Sequence, residues 1–296
     1  MSEETIIIGR LPPPFGGVSV YCSRRYRYLK DTGNIVSFID FGDKFFLLKF
    51  ISKYKGYFEV NTLNFLVVVL FFISGRIKRT EFVDHNASRH YSGFKKKLLL
   101  YMLKGCRGVN VVNEHLLSFY SSDIKLNVVT PFIPPPLNDE RRLIEGYPDN
   151  LIDFISTGNV VINSAWKLVP YESSDLYGIK TSISLLEQFN NIKLLIVIGS
   201  YDEATFDQNE LALIRKYTEG NRLFLLIGQY EIWPLLRFKP ICLRLTPTDG
   251  DSVTVREALY FGAPVLASDS IKRPEGCCLY EYGNMDSLVL TLGKLL

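Results

Sequence analysis

Short apolar runs alternate with amphipathic stretches along the first half of the chain. Thr5–Ile8 is a β-rich run, a loop rich in proline and glycine follows it, and Val18–Leu29 can form a helix. Asn64–Ser74 is apolar except at its ends, so its pattern fits an apolar helix or a buried strand. Further strands are predicted at Asn34–Asp40, Thr80–Asp84, Arg107–Asn113 and Lys125–Val129, and further helices at Phe94–Lys104 and His115–Ser122.

The second half repeats this alternation after Pro131–Asp149, a stretch that is rich in proline and charge and poor in periodicity. Such a composition is typical of a connection between domains, so we place one domain at residues 1–145 and the other at 146–296. The predicted strands are Asp153–Ser156, Val160–Asn163, Lys193–Gly199, Arg222–Ile227, Ile241–Leu245 and Pro264–Ala267, and the predicted helices are Gly178–Gln188, Glu210–Thr218, Tyr230–Arg237 and Val255–Phe261.

Strands that alternate with helices predict parallel sheets covered by helices, which is a doubly wound α/β fold. The length of 296 residues suits two such domains of about 150 residues each. The sequence shows no repeat with a period of about 20 to 50 residues, so solenoids and propellers are not expected.

Composition excludes several classes of protein. Hydrophobic residues make up 47% of the chain and charged residues 22%, so long disorder is not expected. The formal net charge of +3 is too small for a dedicated nucleic-acid-binding protein. The five cysteines lack the spacing of a zinc site or a disulfide framework, which predicts reduced thiols and no metal. The longest apolar run, Phe65–Ile73, is too short to span a bilayer, and the N-terminus lacks the pattern of a signal peptide, so a cytoplasmic protein is expected.

The segment Thr246–Gly262 is the most informative for chemistry. Ser252 or Thr254 can cap a helix that begins near Val255, and such a helix start favours a phosphate or diphosphate. Asp249 and Glu257 stand eight positions apart around it, and carboxylates can accept paired hydrogen bonds from sugar hydroxyls. The alternative is structural, with Glu257 paired to Arg256 or a lysine and Asp249 in a turn.

Together with Pro264–Gly276, this segment resembles the C-terminal half of glycosyltransferase family 4 enzymes, whose GT-B architecture has two Rossmann-like domains facing a central cleft. The family carries two glutamates eight positions apart, and here Asp249 and Glu257 occupy those positions. The resemblance implies that Asp249 contacts the donor sugar and that Glu257 contacts the ribose hydroxyls of the nucleotide. It also implies a backbone turn that meets the donor diphosphate, formed by Gly250, Asp251, Ser252, Val253 and Thr254.

Two segments of the first domain also resemble the family. Gly16 and Gly17 match the glycine pair that begins the first helix, which implies a contact with the donor phosphate; an ordinary turn is the alternative. Val83–Arg89 matches the histidine segment that follows a strand, which implies that His85 is a catalytic residue that bonds the transferring sugar or positions the acceptor. A structural histidine is the alternative reading of His85.

The basic pair that neutralises the donor diphosphate in the family is not matched directly. Tyr177 stands before Gly178, where the family has a lysine. Lys167 is the nearest positive replacement, and Lys180 or Arg244 are further candidates. Arg273 is an additional candidate for donor binding.

The resemblance implies a retaining glycosyltransferase that uses a nucleotide-sugar donor and needs neither a metal nor another cofactor. Its expected acceptor is a saccharide, lipid-linked, in bacterial surface polysaccharide synthesis such as O-antigen or capsule. The main alternative is a catalytically inactive module that binds a nucleotide sugar or a partner. An epimerase or dehydrogenase is disfavoured, because neither a glycine fingerprint after the first strand nor a suitably placed Tyr-x3-Lys pair is present.

Two predicted helices of the first domain carry basic residues next to aromatic or apolar ones. One cluster comprises Arg24, Arg25, Arg27 and Lys30 with Tyr21, Tyr26 and Tyr28, and the other comprises Lys95–Lys97 and Lys104. Such faces suit peripheral contact with the anionic inner face of the cell membrane. A solvated basic face over a buried stripe is the alternative.

Overall fold

The computed structural model describes residues 4–52, 55–172 and 174–296, and the chain divides into two units. The first unit ends at Ile133 and the second begins at Pro134, whereas the sequence predicts a boundary after residue 145. Residues between these two positions belong to the second unit because a short helix, Glu140–Ile144, packs there. Ile144 contacts the apolar core of that unit, and Glu140 forms an ion pair with Arg237.

The first unit is a six-stranded parallel sheet with helices. Its strands are β1 (Thr5–Gly9), β2 (Val36–Asp40), β3 (Tyr57–Val60), β4 (Thr80–Asp84), β5 (Gly108–Val111) and β6 (Leu126–Val128), its helices are α1 (Gly17–Asp31), α2 (Phe46–Ser52), α3 (Phe65–Ile73) and α4 (Gly93–Leu103), and its 3-10 turns are Arg76–Arg79, Ser88–His90 and Glu114–Phe119. The strand order β2-β1-β3-β4-β5-β6 reverses direction between β1 and β3.

The second unit is also built on a six-stranded parallel sheet. Its strands are β7 (Asn159–Lys167), β8 (Pro170–Tyr171), β9 (Ser174–Asp175), β10 (Ile192–Ser200), β11 (Leu223–Ile227), β12 (Ile241–Arg244), β13 (Val265–Ser268) and β14 (Cys277–Tyr280), its helices are α5 (Glu140–Ile144), α6 (Asp149–Ser156), α7 (Ile179–Gln188), α8 (Gln208–Glu219), α9 (Trp233–Leu236), α10 (Val253–Tyr260) and α11 (Met285–Gly293), and its 3-10 turns are Leu137–Asp139 and Glu203–Thr205. The order β11-β10-β7-β12-β13-β14 reverses between β7 and β12, and β8 and β9 form a separate hairpin.

Strand β10 shows how the second sheet is buried on both faces. Leu194 and Ile196 contribute to one apolar core, while Leu195 and Val197 contribute to the core on the opposite face. Successive side chains of a strand point to opposite faces, so a strand covered on both sides is apolar throughout. The predicted doubly wound α/β fold is confirmed in both units.

Three predictions of local structure need correction or a choice. Asp153–Ser156 is the end of helix α6 rather than a strand, because Leu151, Phe154 and Ile155 recur at helical spacing and are buried together. The predicted helix His115–Ser122 is a 3-10 turn, Glu114–Phe119. Asn64–Ser74, which fitted either element, contains helix α3. The sequence pattern did not reveal α2, α5, α11, β3, β14 and the β8–β9 hairpin.

The sequence predicts that its longest apolar run, Phe65–Ile73, is too short to span a bilayer. Among the residues that the structure describes, no helix combines the length and the apolar character needed to cross a bilayer.

The turn before α7 is held by three side-chain interactions and one glycine. The carboxylate of Asp175 accepts hydrogen bonds from the backbone N–H groups of Tyr177, Ile179 and Lys180, each at 3.0 Å. Gly178 has φ +66°, and a Cβ atom there would lie 2.6 Å from Cβ of Leu245. Gly178 is therefore required by its left-handed conformation and by the close approach of Leu245.

We expect Gly178→Ala to lower the free energy of unfolding by about 2–4 kcal/mol, because it adds backbone strain and a steric clash. Gly33→Ala is the matched control, since Gly33 has φ +78° and a Cβ atom there would meet nothing within 4 Å, and it should lose only about 1 kcal/mol. Urea unfolding monitored by circular dichroism measures both variants. Equal losses in the two variants would contradict the role assigned to Leu245.

Candidate functional site

The loop between β12 and α10 lies at the point where the strand order of the second sheet reverses. Strands β7 and β12 are neighbours there, and their crossover connections leave in opposite directions. Open parallel sheets bind ligands beyond the carboxyl ends of the strands at such a switch point. The predicted donor-binding segment, Gly250–Thr254, is part of this loop and of the first turn of α10.

Helix α10 begins at Val253, with Ser252 as its N-cap. The hydroxyl oxygen of Ser252 accepts a hydrogen bond from the backbone N–H of Val255 at 3.4 Å. Of the two capping residues that the sequence suggested, Ser252 fills the position and Thr254 lies within the first turn. The first N–H groups of the helix and the positive end of its dipole are directed toward the loop, which favours an anion.

Asp249 brings two arginines together at the carboxyl end of β12. Its Oδ2 atom accepts hydrogen bonds from Nε of Arg244 at 2.7 Å and from Nη1 of Arg273 at 3.2 Å. Burial works against all three charges. The two guanidinium groups nevertheless lower the pKa of Asp249, and Asp249 raises the pKa of Arg244. Two positive charges therefore share one carboxylate beside the start of α10, which leaves an excess of positive charge.

Arg273 is held by the backbone as well as by Asp249. Its Nη2 donates to the carbonyl oxygen of Thr246 at 2.7 Å and to the hydroxyl of Ser268 at 2.8 Å, and its Nε donates to the carbonyl of Ser268 at 3.0 Å. Burial lowers the pKa of Arg273, an effect that Asp249 opposes. With its side chain only 3% exposed, Arg273 ties the loop after β12 to the end of β13.

Asp251 is engaged by another arginine. Nε of Arg256 lies 3.0 Å from each carboxylate oxygen of Asp251, and Nη2 lies 2.8 Å from Oδ2. Arg256 thus pairs with Asp251. Both carboxylates of the Asp-Gly-Asp triplet are therefore held by guanidinium groups. A shallow depression is lined by Gly250, Asp251, Ser252, Val255, Ile271, Lys272, Arg273 and Pro274.

Glu257 lies in the second turn of α10 and is 4% exposed. Burial, together with the charges of Glu231 and Glu257, raises the pKa of Tyr147, whose hydroxyl donates to the carbonyl oxygen of Glu231. The Glu257 side chain therefore points to the part of the unit where the Tyr147 hydroxyl meets Glu231, just before α9.

The basic residues predicted from the family pattern do not all lie together. Lys167 is the last residue of β7 and is exposed, with Ser200 as its partner on β10. Lys180 forms an ion pair with Glu210 of α8 at 2.8 Å. The Arg244 guanidinium lies 5.4 Å from the ring centroid of Tyr177. Arg244 is thus the cation beside the position where the family has its lysine.

In the first unit, Gly16 and Gly17 form the start of α1, with Gly16 as the N-cap. The N–H of Gly16 donates to the hydroxyl of Ser19 at 3.0 Å, and this hydroxyl donates in turn to the carbonyl of Pro14. A Cβ atom on Gly16 would meet nothing within 4 Å. The backbone at Gly16 therefore borders open space beyond the carboxyl end of β1.

His85 follows β4 directly and is half-buried. Its Nε2 lies 3.1 Å from Oδ1 of Asn61, and its ring meets Tyr21 edge-on with centroids 5.1 Å apart. Because an amide oxygen only accepts, this contact places the proton on Nε2. Burial lowers the pKa of His85 to about 4, against the opposing effect of Asp84. His85 is therefore neutral near pH 7.

A series of polar contacts leads from His85 through Asn61 and Glu59 to Arg25. The amide nitrogen of Asn61 lies 3.5 Å from Oε1 of Glu59, and Glu59 pairs with Arg25 at 3.0 Å. Sequence reasoning missed Asn61, which contacts His85, and Glu59, which contacts Asn61. The sequence signal for such a contact is a charged residue inside an apolar strand, because a buried charge needs a partner. Glu59 in YFEV is one example, and Arg244 in ICLRL is another.

Within the described ranges 4–52, 55–172 and 174–296, no three His, Cys, Asp or Glu side chains are grouped as metal ligands would be.

The low pKa of His85 makes the stability of the protein depend on pH. The unfolded chain takes up a proton at His85 near pH 6.5, and the folded chain does so near pH 4. Between these values the unfolded state binds more protons, so the free energy of unfolding falls as the pH falls, by at most about 3 kcal/mol from His85.

Urea unfolding at several pH values between 7 and 4 checks this expectation. His85→Asn should remove that part of the loss, while His90→Asn, at an exposed histidine, should retain it. Parallel pH profiles for wild type and His85→Asn would refute the assignment.

No family model matches the chain, and no curated protein matches its sequence. Solved structures do match its fold. Anabaena HepE in complex with UDP-glucose has a TM-score of 0.68 and 13% identity, over 98% of this chain and 89% of HepE. Sucrose-phosphate synthase from Thermosynechococcus elongatus has a TM-score of 0.66 and 15% identity, over 99% of this chain and 89% of the synthase.

The lipopolysaccharide outer core galactosyltransferase WaaB, in its apo form, has a TM-score of 0.61 and 14% identity, over 99% of this chain and 90% of WaaB. At these identities the likeness concerns the fold. The chain has the two-unit α/β fold of GT-B glycosyltransferases.

Proposed function

We propose that the protein is a glycosyltransferase that transfers a sugar from a UDP-sugar donor to a saccharide acceptor. The observation that carries the proposal is the loop after β12, where Arg244 and Arg273 share Asp249 beside the start of α10. Excess positive charge and a helix N-terminus at the switch point of a parallel sheet suit a diphosphate. The UDP-glucose bound to HepE, which has the same fold, supports UDP as the nucleotide.

In the proposed reaction, the sugar leaves UDP and joins the acceptor with retention of configuration, as in the family that the sequence resembles. The diphosphate gains negative charge as its bond to the sugar breaks, and preorganised donors stabilise such charge. Those donors would be Arg244 and the backbone N–H groups of Gly250–Thr254, a segment that includes the start of α10. Arginines already hold Asp249 and Asp251, which supports transfer without a metal.

The remaining roles follow the resemblance. Glu257 would bind the ribose hydroxyls and Asp249 the donor sugar, with Arg273 and Lys167 as further donor-binding candidates. His85 would bond the transferring sugar or position the acceptor through its neutral imidazole. Gly16 and Gly17 would contact the donor phosphate.

We propose a lipid-linked saccharide as acceptor, in the assembly of a bacterial surface polysaccharide such as O-antigen or capsule. The fold shared with WaaB, a galactosyltransferase of the lipopolysaccharide outer core, supports this acceptor class. The transfer would take place at the cytoplasmic side of the membrane.

The proposed activity is tested by incubating the protein with UDP-, GDP- and dTDP-sugars and measuring nucleotide binding and slow donor hydrolysis. We expect binding and hydrolysis with a UDP-sugar, and the loss of both in Glu257→Gln, which removes the charge but keeps the shape of the buried side chain. Glu210→Gln is the matched control, since Glu210 caps α8 and pairs with Lys180. Binding without hydrolysis or transfer would favour the inactive module, and no binding to any donor would overturn the proposal.

The role of Arg244 is tested by the affinity for UDP. We expect Arg244→Gln to weaken UDP binding by about tenfold to a hundredfold, as for loss of a charged hydrogen bond of about 1.5–3 kcal/mol. Lys193→Gln removes a positive charge at the start of β10, at the edge of the sheet opposite the loop after β12, and should leave the affinity unchanged. Calorimetric titration measures both, and thermal unfolding verifies that each variant is folded. Equal effects of the two variants would contradict a specific role for Arg244.

A further inference from the structure

Helices α2, α3 and α4 form one layer on one face of the first unit's sheet. Each connects a strand to its successor in the same direction across the sheet, from β2 through β3 and β4 to β5. Right-handed crossovers place such helices on the same face and place α1, which runs in the opposite direction, on the other. The layer is continuous: Arg76, after α3, donates to the carbonyl oxygen of Ile51 in α2, and the rings of Phe72 in α3 and Tyr101 in α4 lie 6.1 Å apart.

The outward side of this layer is apolar. Its inner side buries Phe50, Phe71 and Leu99 against the sheet. Its outer side exposes six large apolar side chains, each more than half exposed, which we call the apolar face: Leu47, Leu48, Ile51, Leu66, Ile73 and Phe94. A surface helix normally carries polar residues on its outer side, whereas α3 reads FLVVVLFFI. An exposed apolar surface spread over three adjacent helices marks a site of interaction.

The charged residues of the three helices are all lysines, and Lys49 pairs with Asp43, which precedes α2. The three helices contain Lys49, Lys95, Lys96 and Lys97 and no acidic residue. On α4, Phe94, Lys97 and Tyr101 recur at helical spacing and are exposed, so a cation and two aromatic side chains share one side of the helix. Apolar residues with lysines and without carboxylates are typical of helices that lie on an anionic bilayer.

The same charges argue against a second copy of the chain as the partner. A symmetric dimer through this face would bring the lysines of both copies together without a carboxylate on these helices to pair them.

The basic cluster on α1 offers no comparable surface. Arg24 is buried and donates to the carbonyl oxygen of Ile133, and Arg25 pairs with Glu59. Arg27 lies 3.7 Å from Asp31 of the same helix. Arg27 and Lys30 of α1 remain exposed, but only the exposed Lys95 and Lys97 of α4 lie in the helical layer that carries the apolar face.

We propose that the apolar face, with Lys95 and Lys97 beside it, binds the protein to the surface of an anionic phospholipid bilayer. Leu48, Ile51 and their apolar neighbours would enter the headgroup region, and the ammonium groups would pair with lipid phosphates. This surface goes beyond the proposed transfer reaction and does not depend on it.

The test is co-sedimentation of the full chain with phosphatidylcholine vesicles and with vesicles that also contain phosphatidylglycerol. We expect binding to the mixed vesicles alone, weakened by salt. The double variant Leu48→Gln/Ile51→Gln should lower the partition coefficient by about tenfold or more, because it removes two apolar side chains. Lys95→Gln/Lys97→Gln should lower it by about tenfold. Leu290→Gln is the control, since Leu290 is 62% exposed on α11 in the second unit, and it should bind as wild type does.

Several outcomes would overturn this inference. One is a failure of the wild type to bind mixed vesicles, and another is unchanged binding by Leu48→Gln/Ile51→Gln with the thermal unfolding of wild type. A third is a dimer of the wild type, seen by light scattering, that this double variant converts to a monomer, since a second copy would then cover the face. None of these measurements uses nucleotide, so the surface can fail while the transferase proposal stands, and the reverse.

Discussion

Parallel pairing of every strand in the two six-stranded sheets is the constraint on which the candidate sites depend. Parallel strands end at the same edge of a sheet, so the segments that follow them gather there. Gly16 lies beyond β1 and His85 beyond β4 in the first unit. Asp249 lies beyond β12 and Arg273 beyond β13 in the second. In each unit, the fold thus brings residues that are far apart in the sequence to the same edge of the sheet.

The charge balance at the edge of the second sheet is the basis of the proposed diphosphate site. Asp249 accepts hydrogen bonds from two arginines. The resemblance, by contrast, implies only a contact between Asp249 and the donor sugar. The Asp249 carboxylate stays charged because its attraction to the two guanidinium groups exceeds the effect of burial on its pKa. The hydrogen bond to Asp249 also orients Arg244 near Tyr177. Tyr177 stands where the family has a lysine. In the proposed anion site, Arg244 would therefore take the role of the lysine that the family has before Gly178.

The two units carry different kinds of surface. The second has the charged loop at its switch point, and the first has the series of polar contacts at His85 and the apolar face over its helical layer. A protein that draws a charged donor from water and an acceptor from a lipid surface needs both kinds. The proposed reaction and the proposed membrane surface are therefore compatible, although they rest on separate observations.

The sequence by itself determined the alternation of strands and helices, a helix start close to Ser252 and Thr254, and the candidate pair Asp249 and Glu257, because periodicity and helix capping are local properties of the chain. It left α3 between helix and strand and misassigned Asp153–Ser156, because short apolar runs fit both periods. Only the tertiary structure decided which charges pair: Arg25 meets Glu59 across 34 positions, and Arg273 meets Asp249 across 24. It also decided which apolar side chains stay exposed. Both depend on how the helices pack on the sheet, which local sequence pattern does not encode.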